Sequence, residues 1–139
     1  MIQVRSIDHV VLRVRDIERS LRFYVEILGC REERRIEALG LFQLRAGAAL
    51  IDLVDLEKPL GQRGGAAAGE GGRNVDHVAL RIEQFVEPEL RAHLVAHGVE
   101  PGDVDQRYGA EGVGPSMYIR DPDGNVIELK GPPTSPPVR

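Results

Sequence analysis

The sequence has a single cysteine, Cys30, and no long apolar run. One cysteine cannot form an intrachain disulfide. No segment approaches the ~20 apolar residues that a membrane-spanning helix requires, and the first residues lack the basic and then apolar layout of a signal peptide. These absences predict a cytoplasmic protein. We expect Cys30 to be a small packed side chain rather than a nucleophile.

An excess of positive charge is also missing. The chain has 18 Lys and Arg against 22 Asp and Glu, which leaves a net charge of −4 and a pI near 5.6. The charges are interspersed, so no basic field is available to hold nucleic acid or anionic lipid. What is present is 42% hydrophobic and 29% charged residues in 139 positions, which is the balance of one soluble globular domain. We therefore expect a small-molecule substrate, no nucleic acid and no membrane.

One eight-residue phrase occurs twice. IDHVVLRV begins at Ile7 and VDHVALRI begins at Val75, and each copy places a histidine in an alternating strand pattern. His9 and His77 lie 68 residues apart (77 − 9), which is about half of the chain. The spacing indicates that the chain consists of two similar halves.

Each half predicts the order βαβββ. In the first half Asp16 can cap the helix and Gly29 can end it, and in the second the last two strands are joined by the turn Asp121–Gly124. The predicted parts are a first module over 1–60, a Gly/Ala-rich linker over 61–74, a second module over 75–131 and a disordered Pro-rich tail over 132–139. Two open units of this kind would pair around a cleft, so we predict one α+β domain with curved mixed sheets.

Strand parity predicts which side chains line that cleft. Successive strand residues point to opposite faces, so the apolar alternate residues pack on the helix while His9 and His77 point to the cleft. In the closing strands ALIDLV and NVIELK, the same count turns Asp52 and Glu128 to the cleft. Two imidazoles and two carboxylates in a largely apolar cleft need a compensating partner, and a divalent metal supplies one. Taken singly, each histidine would also fit a structural role and Glu128 a surface position.

Three segments resemble the vicinal oxygen chelate superfamily, which comprises glyoxalase I, extradiol dioxygenases, fosfomycin-resistance thiol transferases and bleomycin-binding proteins. They are DHVVLRVRDIERSLRFYVEILG at 8–29, DHVAL at 76–80 and YIRDPDGNVIELK at 118–130. The resemblance implies two paired βαβββ modules in a glyoxalase-like fold and a homodimer. It also implies one divalent metal ion, of which Ni, Zn, Mn, Co and Fe(II) are the candidates.

The same resemblance implies the metal ligands. His9, His77 and Glu128 match the ligand positions of the superfamily, and glyoxalase I-like members add an acidic ligand at the position of Asp52. That position normally holds Glu, and Asp is one methylene shorter. With Asp52 the set is that of a glyoxalase, and without it the set is the two-histidine, one-carboxylate arrangement of non-haem iron oxygenases.

The implied activity is metal-dependent, and glyoxalase I-like lyase or isomerase chemistry on a small oxygenated substrate is favoured. The ion would hold vicinal oxygens and stabilise an enediolate or oxyanion, while Glu128 moves a proton with Asp52 as its counterpart. The alternatives are an extradiol-type ring-cleaving dioxygenase, a fosfomycin-type thiol transferase and, from another class, a metal-free drug-sequestering protein of the bleomycin-resistance type.

Several residues are weaker candidates for substrate binding. Tyr118 matches a tyrosine near the bound anion in fosfomycin-resistance relatives, although an aromatic residue packed on the sheet explains it equally well. Arg120, Arg107 and Arg45 could meet an anionic substrate, although each also fits a solvated strand end. The Gly-rich segment 107–115 lacks the strand–loop–helix context of a phosphate cradle, so we expect a flexible lip of the cleft.

Overall fold

The predicted βαβββ order occurs once in each of two units of the chain. A computed structural model describes residues 1–138, and the units are Met1–Gly72 and Arg73–Arg139. The first unit contains β1 (His9–Val14), α1 (Ile17–Leu21) with a π-helical continuation (Arg22–Ile27), β2 (Arg31–Ile36), a 3₁₀ turn (Glu37–Leu39), β3 (Leu41–Ala46), β4 (Ala49–Asp55) and α2 (Pro59–Gln62). The second contains β5 (His77–Arg81), α3 (Glu87–Ala96), β6 (Val104–Gly109), β7 (Gly112–Arg120) and β8 (Val126–Lys130).

The two sheets have the same topology. Their strand orders are β1-β4-β3-β2 and β5-β8-β7-β6. In each, the first and last strands of the unit pair in parallel and the other pairs are antiparallel. The predicted α+β class with two mixed sheets is therefore confirmed.

One face of each sheet carries the apolar core. In the first unit Leu44 and Leu53 are fully buried and Ile51 is 2% exposed, and α1 packs against β4. In the second unit the buried residues at equivalent positions are Met117, Ile119, Ile127 and Leu129. Burial of one such side chain contributes about 1.5–3 kcal/mol. Because this face is apolar, the polar residues of the same strands must lie on the other face.

The sequence pattern predicts one regular helix in the first unit. The observed helix changes its type along its length. Asp16 caps it by accepting from the backbone N–H of Arg19, and Gly29 ends it with a φ of +79°. Between them, the helix widens into the π-helical segment. Phe23 and Tyr24 are consecutive and both buried, and an ordinary α-helix would turn them about 100° apart. Among residues 1–138, no helix is long and apolar enough to cross a membrane.

The expected linker is held to the first unit by the side chains of Arg13 and Arg15, the latter donating to the carbonyl oxygen of Ala68 at 2.5 Å. The Arg13 guanidinium donates to the carbonyl oxygens of Gly61, Gly64, Gly65 and Ala66 at 2.5–3.1 Å. Glycine and alanine leave these carbonyls accessible because they have little or no side chain. The segment 61–74 lacks periodicity in sequence, yet its first half lies against β1.

The C-terminal segment, expected to be a disordered tail over 132–139, contacts β7, and position 139 lies outside the described residues. Ser135 forms a β-bridge with Val113, and the backbone N–H of Thr134 donates to the Val113 carbonyl at 2.6 Å. β7 extends beyond the end of β8 here, so the backbone groups of Val113 are available to a third segment. Prolines exclude a helix but permit this extended backbone. The segment 107–115, expected as a flexible lip, is the turn and flanking strand ends of the β6–β7 hairpin.

Candidate functional site

In the second unit, His77 and Glu128 lie on one face of two adjacent strands. His77 pairs with Val126 and Ala79 pairs with Glu128, so the two side chains are diagonal neighbours. Glu128 is 5% exposed, and Nε2 of His77 lies 3.4 Å from Oε2 of Glu128. Two ligands that bind one ion at ~2.0–2.2 Å lie about 3 Å apart. The pair is therefore spaced to share a metal ion.

In the first unit, His9 and Asp52 occupy the corresponding positions. His9 pairs with Leu50 and Val11 pairs with Asp52, which is the same diagonal register. The hydrogen bond to Asp8 is the largest influence on the pKa of His9 and raises it above 6.5. Partial desolvation opposes this shift, and the charge of Asp52 raises the pKa further. Each unit thus presents one histidine and one buried carboxylate.

Both imidazoles are oriented by the aspartate that precedes them. Nδ1 of His9 lies 2.6 Å from Oδ1 of Asp8, and Nδ1 of His77 lies 2.7 Å from Oδ2 of Asp76. An ionised carboxylate only accepts, so Nδ1 carries the proton. In the neutral ring, Nε2 then holds the lone pair that a metal requires.

Asp52 has one satisfied oxygen and one unsatisfied oxygen. Gln43 donates from Nε2 to Oδ2 at 3.1 Å, and Arg34 donates to Oε1 of Gln43 at 3.1 Å. The other oxygen, Oδ1, is buried and has no hydrogen-bond partner among the described residues. A buried carboxylate oxygen without a donor is costly, and a cation is the partner that suits it. This orphan oxygen fits a metal ligand.

Neither unit gathers a complete ligand set by itself. Within the part of the chain that the structure describes, no three His, Cys, Asp or Glu side chains form a group that could hold a metal ion. Each unit supplies a pair, His9 with Asp52 and His77 with Glu128.

Tyr118 and Arg107 belong to the same face as Glu128. Tyr118 pairs with Glu128 across β7 and β8, and its ring meets the His77 ring edge-on at a centroid distance of 5.3 Å. The Arg107 guanidinium lies 4.6 Å from the centre of the Tyr118 ring and donates to the carbonyl and Oγ of Ser116 at 2.9 Å. These two predicted substrate-binding residues therefore accompany the histidine–carboxylate pair.

Arg120 and Arg45 are engaged elsewhere in their sheets. Arg120 is exposed and donates to the carbonyl of Gly124 at 3.1 Å, within the turn before β8. Arg45 forms an ion pair with Glu33 at 2.8 Å. The side chain of Asp121 accepts hydrogen bonds from the backbone N–H groups of Asp123 and Asn125 in the same turn, which sets the start of β8.

A pocket of about 540 Å³ opens on the polar face of the second sheet. Its lining includes His77, Arg81, Glu111, Glu128 and Lys130. The hairpin tip from Tyr108 to Gly112 forms another part of the wall. The pocket therefore contains the predicted ligands of this unit and space for a small molecule beside them.

Sequence reasoning missed the residues that support these side chains. In the sequence, Asp8 and Asp76 look like incidental neighbours of the histidines. The Asp-His dipeptide occurs in both halves, however, and this repeat was a signal of their supporting role. Gln43 carries no recognisable motif, and only the cross-strand register brings it to Asp52. Lys130 reads as a surface residue at a strand end, yet it is 9% exposed.

Comparison with known proteins gives a consistent family. The sequence model described as "Glyoxalase/Bleomycin resistance protein/Dioxygenase superfamily" matches residues 6–129. The virulence protein STM3117 of Salmonella typhimurium is 34% identical over 130 residues, which cover 91% of this chain and 83% of that protein. Its crystal structure matches with a TM-score of 0.69 and 28% identity over 94% of this chain and 98% of that one.

Two enzymes are more distant relatives. Catechol-2,3-dioxygenase of Bacillus subtilis is 28% identical over 88% of this chain and 40% of that protein. Lactoylglutathione lyase of Haemophilus influenzae is 26% identical over 89% of this chain and 90% of that protein. Members of the superfamily bind small-molecule substrates, include lyases and dioxygenases, and typically use a divalent metal. With its match to the family model over residues 6–129 and its two βαβββ units, this chain belongs to the glyoxalase/bleomycin resistance protein/dioxygenase superfamily.

Proposed function

We propose that the chain is a divalent-metal-dependent enzyme with glyoxalase I-like lyase or isomerase activity on a small oxygenated substrate. One observation carries the proposal: both units present a histidine and a buried carboxylate in the same diagonal register. The orphan oxygen of Asp52 adds a position that a cation would satisfy.

The proposed ligands are Nε2 of His9, Nε2 of His77, a carboxylate oxygen of Glu128 and Oδ1 of Asp52. Asp8 and Asp76 hold the two imidazoles in the tautomer that leaves Nε2 free. A divalent ion supplies Lewis-acid stabilisation of negative charge on substrate oxygens. Nickel, zinc, manganese, cobalt and ferrous iron all suit imidazole and carboxylate ligands.

Glu128 is the proposed proton-transfer residue. It is buried, it lies 3.4 Å from His77 and it lines the pocket, so it can take a proton from a substrate carbon and return it to the adjacent carbon. Asp52 is its counterpart in the first unit. Gln43 donates to one oxygen of Asp52 and thereby orients the other.

The second candidate is an extradiol-type dioxygenase, and the short side chain of Asp52 favours it. Because Gln43 already holds one oxygen of this side chain, the remaining oxygen has limited freedom to reach an ion. If Asp52 does not bind, His9, His77 and Glu128 remain as a two-histidine, one-carboxylate set. The relationship to catechol-2,3-dioxygenase supports this alternative.

Metal analysis tests the proposal directly. Protein purified without chelator is expected to contain, or to bind tightly, about one divalent ion per chain. Glu128→Gln should weaken this binding, whereas Glu100→Gln, on an exposed residue, should not. If the wild-type chain binds no divalent ion, the enzyme proposal fails and a metal-free sequestering protein takes its place.

Asp52→Ala then separates the two enzyme classes. A large loss of metal affinity supports the glyoxalase-like set, and unchanged affinity supports the dioxygenase set. Activity is measured on methylglyoxal with and without glutathione and on catechol under oxygen, and fosfomycin with a thiol tests the transferase alternative. Sedimentation analysis of the same preparations tests the expected homodimer.

A further inference from the structure

Lys130 is a buried lysine at the edge of the pocket in the second unit. It is 9% exposed and lines the pocket together with Glu128, two residues earlier on the same face of β8. Its ammonium donates to the carbonyl oxygens of Arg107 at 2.5 Å and Gly114 at 3.5 Å. These carbonyls are dipoles, so they satisfy hydrogen bonds without neutralising the charge.

Lys130 differs in this respect from the other charged residues of the pocket. Arg81 forms an ion pair with Glu111 at 2.6 Å, and Glu128, 3.4 Å from His77, is assigned with that histidine to the proposed metal ion. Within residues 1–138, no carboxylate lies within 4.0 Å of the Lys130 ammonium. A buried charge without a counter-charge is unfavourable, so the pocket has a place for one negative charge.

The hairpin above Lys130 is shaped to admit its side chain. A Cβ built on Gly109 would lie 2.3 Å from Cε of Lys130. Glycine at this position therefore allows the lysine stem to pass beneath the hairpin tip. The Gly-rich hairpin does not form a phosphate cradle, but its glycine makes room for a cation.

We propose that Lys130 binds a carboxylate of the substrate. This inference rests on the proposed function, because it assigns a substrate class to the same pocket. Lys130 supplies a single buried positive charge at this edge of the pocket, which matches a monoanionic carboxylate better than a dianionic phosphate or phosphonate. Residues two apart on a strand lie about 6.5–7 Å apart. The substrate's carboxylate therefore lies one to two residue lengths along the strand from the substrate oxygens near Glu128.

The test uses the full chain after removal of metal, so that it does not depend on the metal site. The chain has two lysines, Lys58 and Lys130, so the ¹⁵N spectrum of the ammonium groups is simple. Acetate should shift the Lys130 signal saturably, whereas acetamide, its neutral analogue, should not. Lys130→Met should weaken acetate binding by at least about tenfold in calorimetry. Lys58→Met, on an exposed residue, is the matched control and should bind acetate as the wild type does.

Three results would overturn the inference: no acetate-dependent shift of the Lys130 signal, equal binding of acetate and acetamide, or tighter binding of methylphosphonate than of acetate. If Lys130→Met does not fold, the titration of the wild-type protein still decides. Lys130→Arg keeps the charge and should keep most of the acetate affinity, which a purely structural role of the lysine does not require. Zinc binding to the wild-type chain is measured separately. A wild-type chain that binds acetate but no zinc would reject the proposed enzyme and not the carboxylate site.

Discussion

Replacement of Asp52 by asparagine is expected to have opposite effects on the metal-free and the metal-bound protein. Asp52 is 4% exposed, and its two oxygens receive one hydrogen bond in total among the described residues. An unsatisfied buried polar group costs about 1–3 kcal/mol, and a charged one costs more. Asn removes the charge, keeps the shape and can still accept from Gln43. The metal-free Asp52→Asn variant should therefore gain about 1 kcal/mol, or about 3–5 °C in Tm.

With metal present the sign should reverse. A neutral amide oxygen is a weaker ligand than a carboxylate, and each tenfold loss of affinity corresponds to about 1.4 kcal/mol. At saturating metal this loss subtracts directly from stability, because stabilisation grows with the logarithm of ligand concentration over Kd. Urea unfolding with and without added zinc measures both effects, and Asp103→Asn, on an exposed residue, is the control. If Asp52→Asn destabilises the metal-free protein and leaves zinc affinity unchanged, Asp52 is a structural acceptor and the reasoning from its orphan oxygen is wrong.

Three further predictions concern the histidines and the cysteine. Asp76→Asn should weaken metal binding about tenfold or more because it releases the His77 ring, and calorimetry that shows equal affinity would contradict this. The pKa of His9 should exceed 6.5 in an NMR titration, with Asp8→Asn lowering it; metal affinity at His9 then falls as the pH drops through that pKa. In the metal-free protein, the stability from protonated His9 is fully present below its unfolded pKa and is lost as pH rises through the raised value. Burial raises the pKa of Cys30, so thiol reagents should modify it slowly until urea unfolds the chain, and fast labelling of native protein would refute this.

The order of elements could be predicted because hydrophobic periodicity is local. The first helix begins after Asp16 and the helical segment ends before Gly29, as these two residues predict, and the order βαβββ is present in both units. The π-helical segment could not be predicted in this way. Phe23 and Tyr24 are both buried within it, and burial is a property of the packed core.

The contact between the C-terminal segment and β7 could not be predicted for a related reason. Its prolines do exclude a helix, but the sequence does not show that β7 continues past β8. That difference in length leaves backbone groups of Val113 available to Ser135. Free backbone groups on a neighbouring strand decide whether such a segment is ordered.

Which residues share a sheet face follows from the amino-acid sequence, because strand alternation is a covalent consequence of the extended backbone. The sequence therefore identified His9, His77, Asp52 and Glu128 as candidates. The contacts that each of these side chains makes depend on the folded arrangement of the strands. Strand register brought Gln43 to one oxygen of Asp52 and left the other without a donor among residues 1–138, and it brought Tyr118 beside Glu128 and His77. It also buried Lys130 with backbone carbonyl oxygens as its hydrogen-bond partners, since pairing and desolvation depend on neighbours that are distant in the chain.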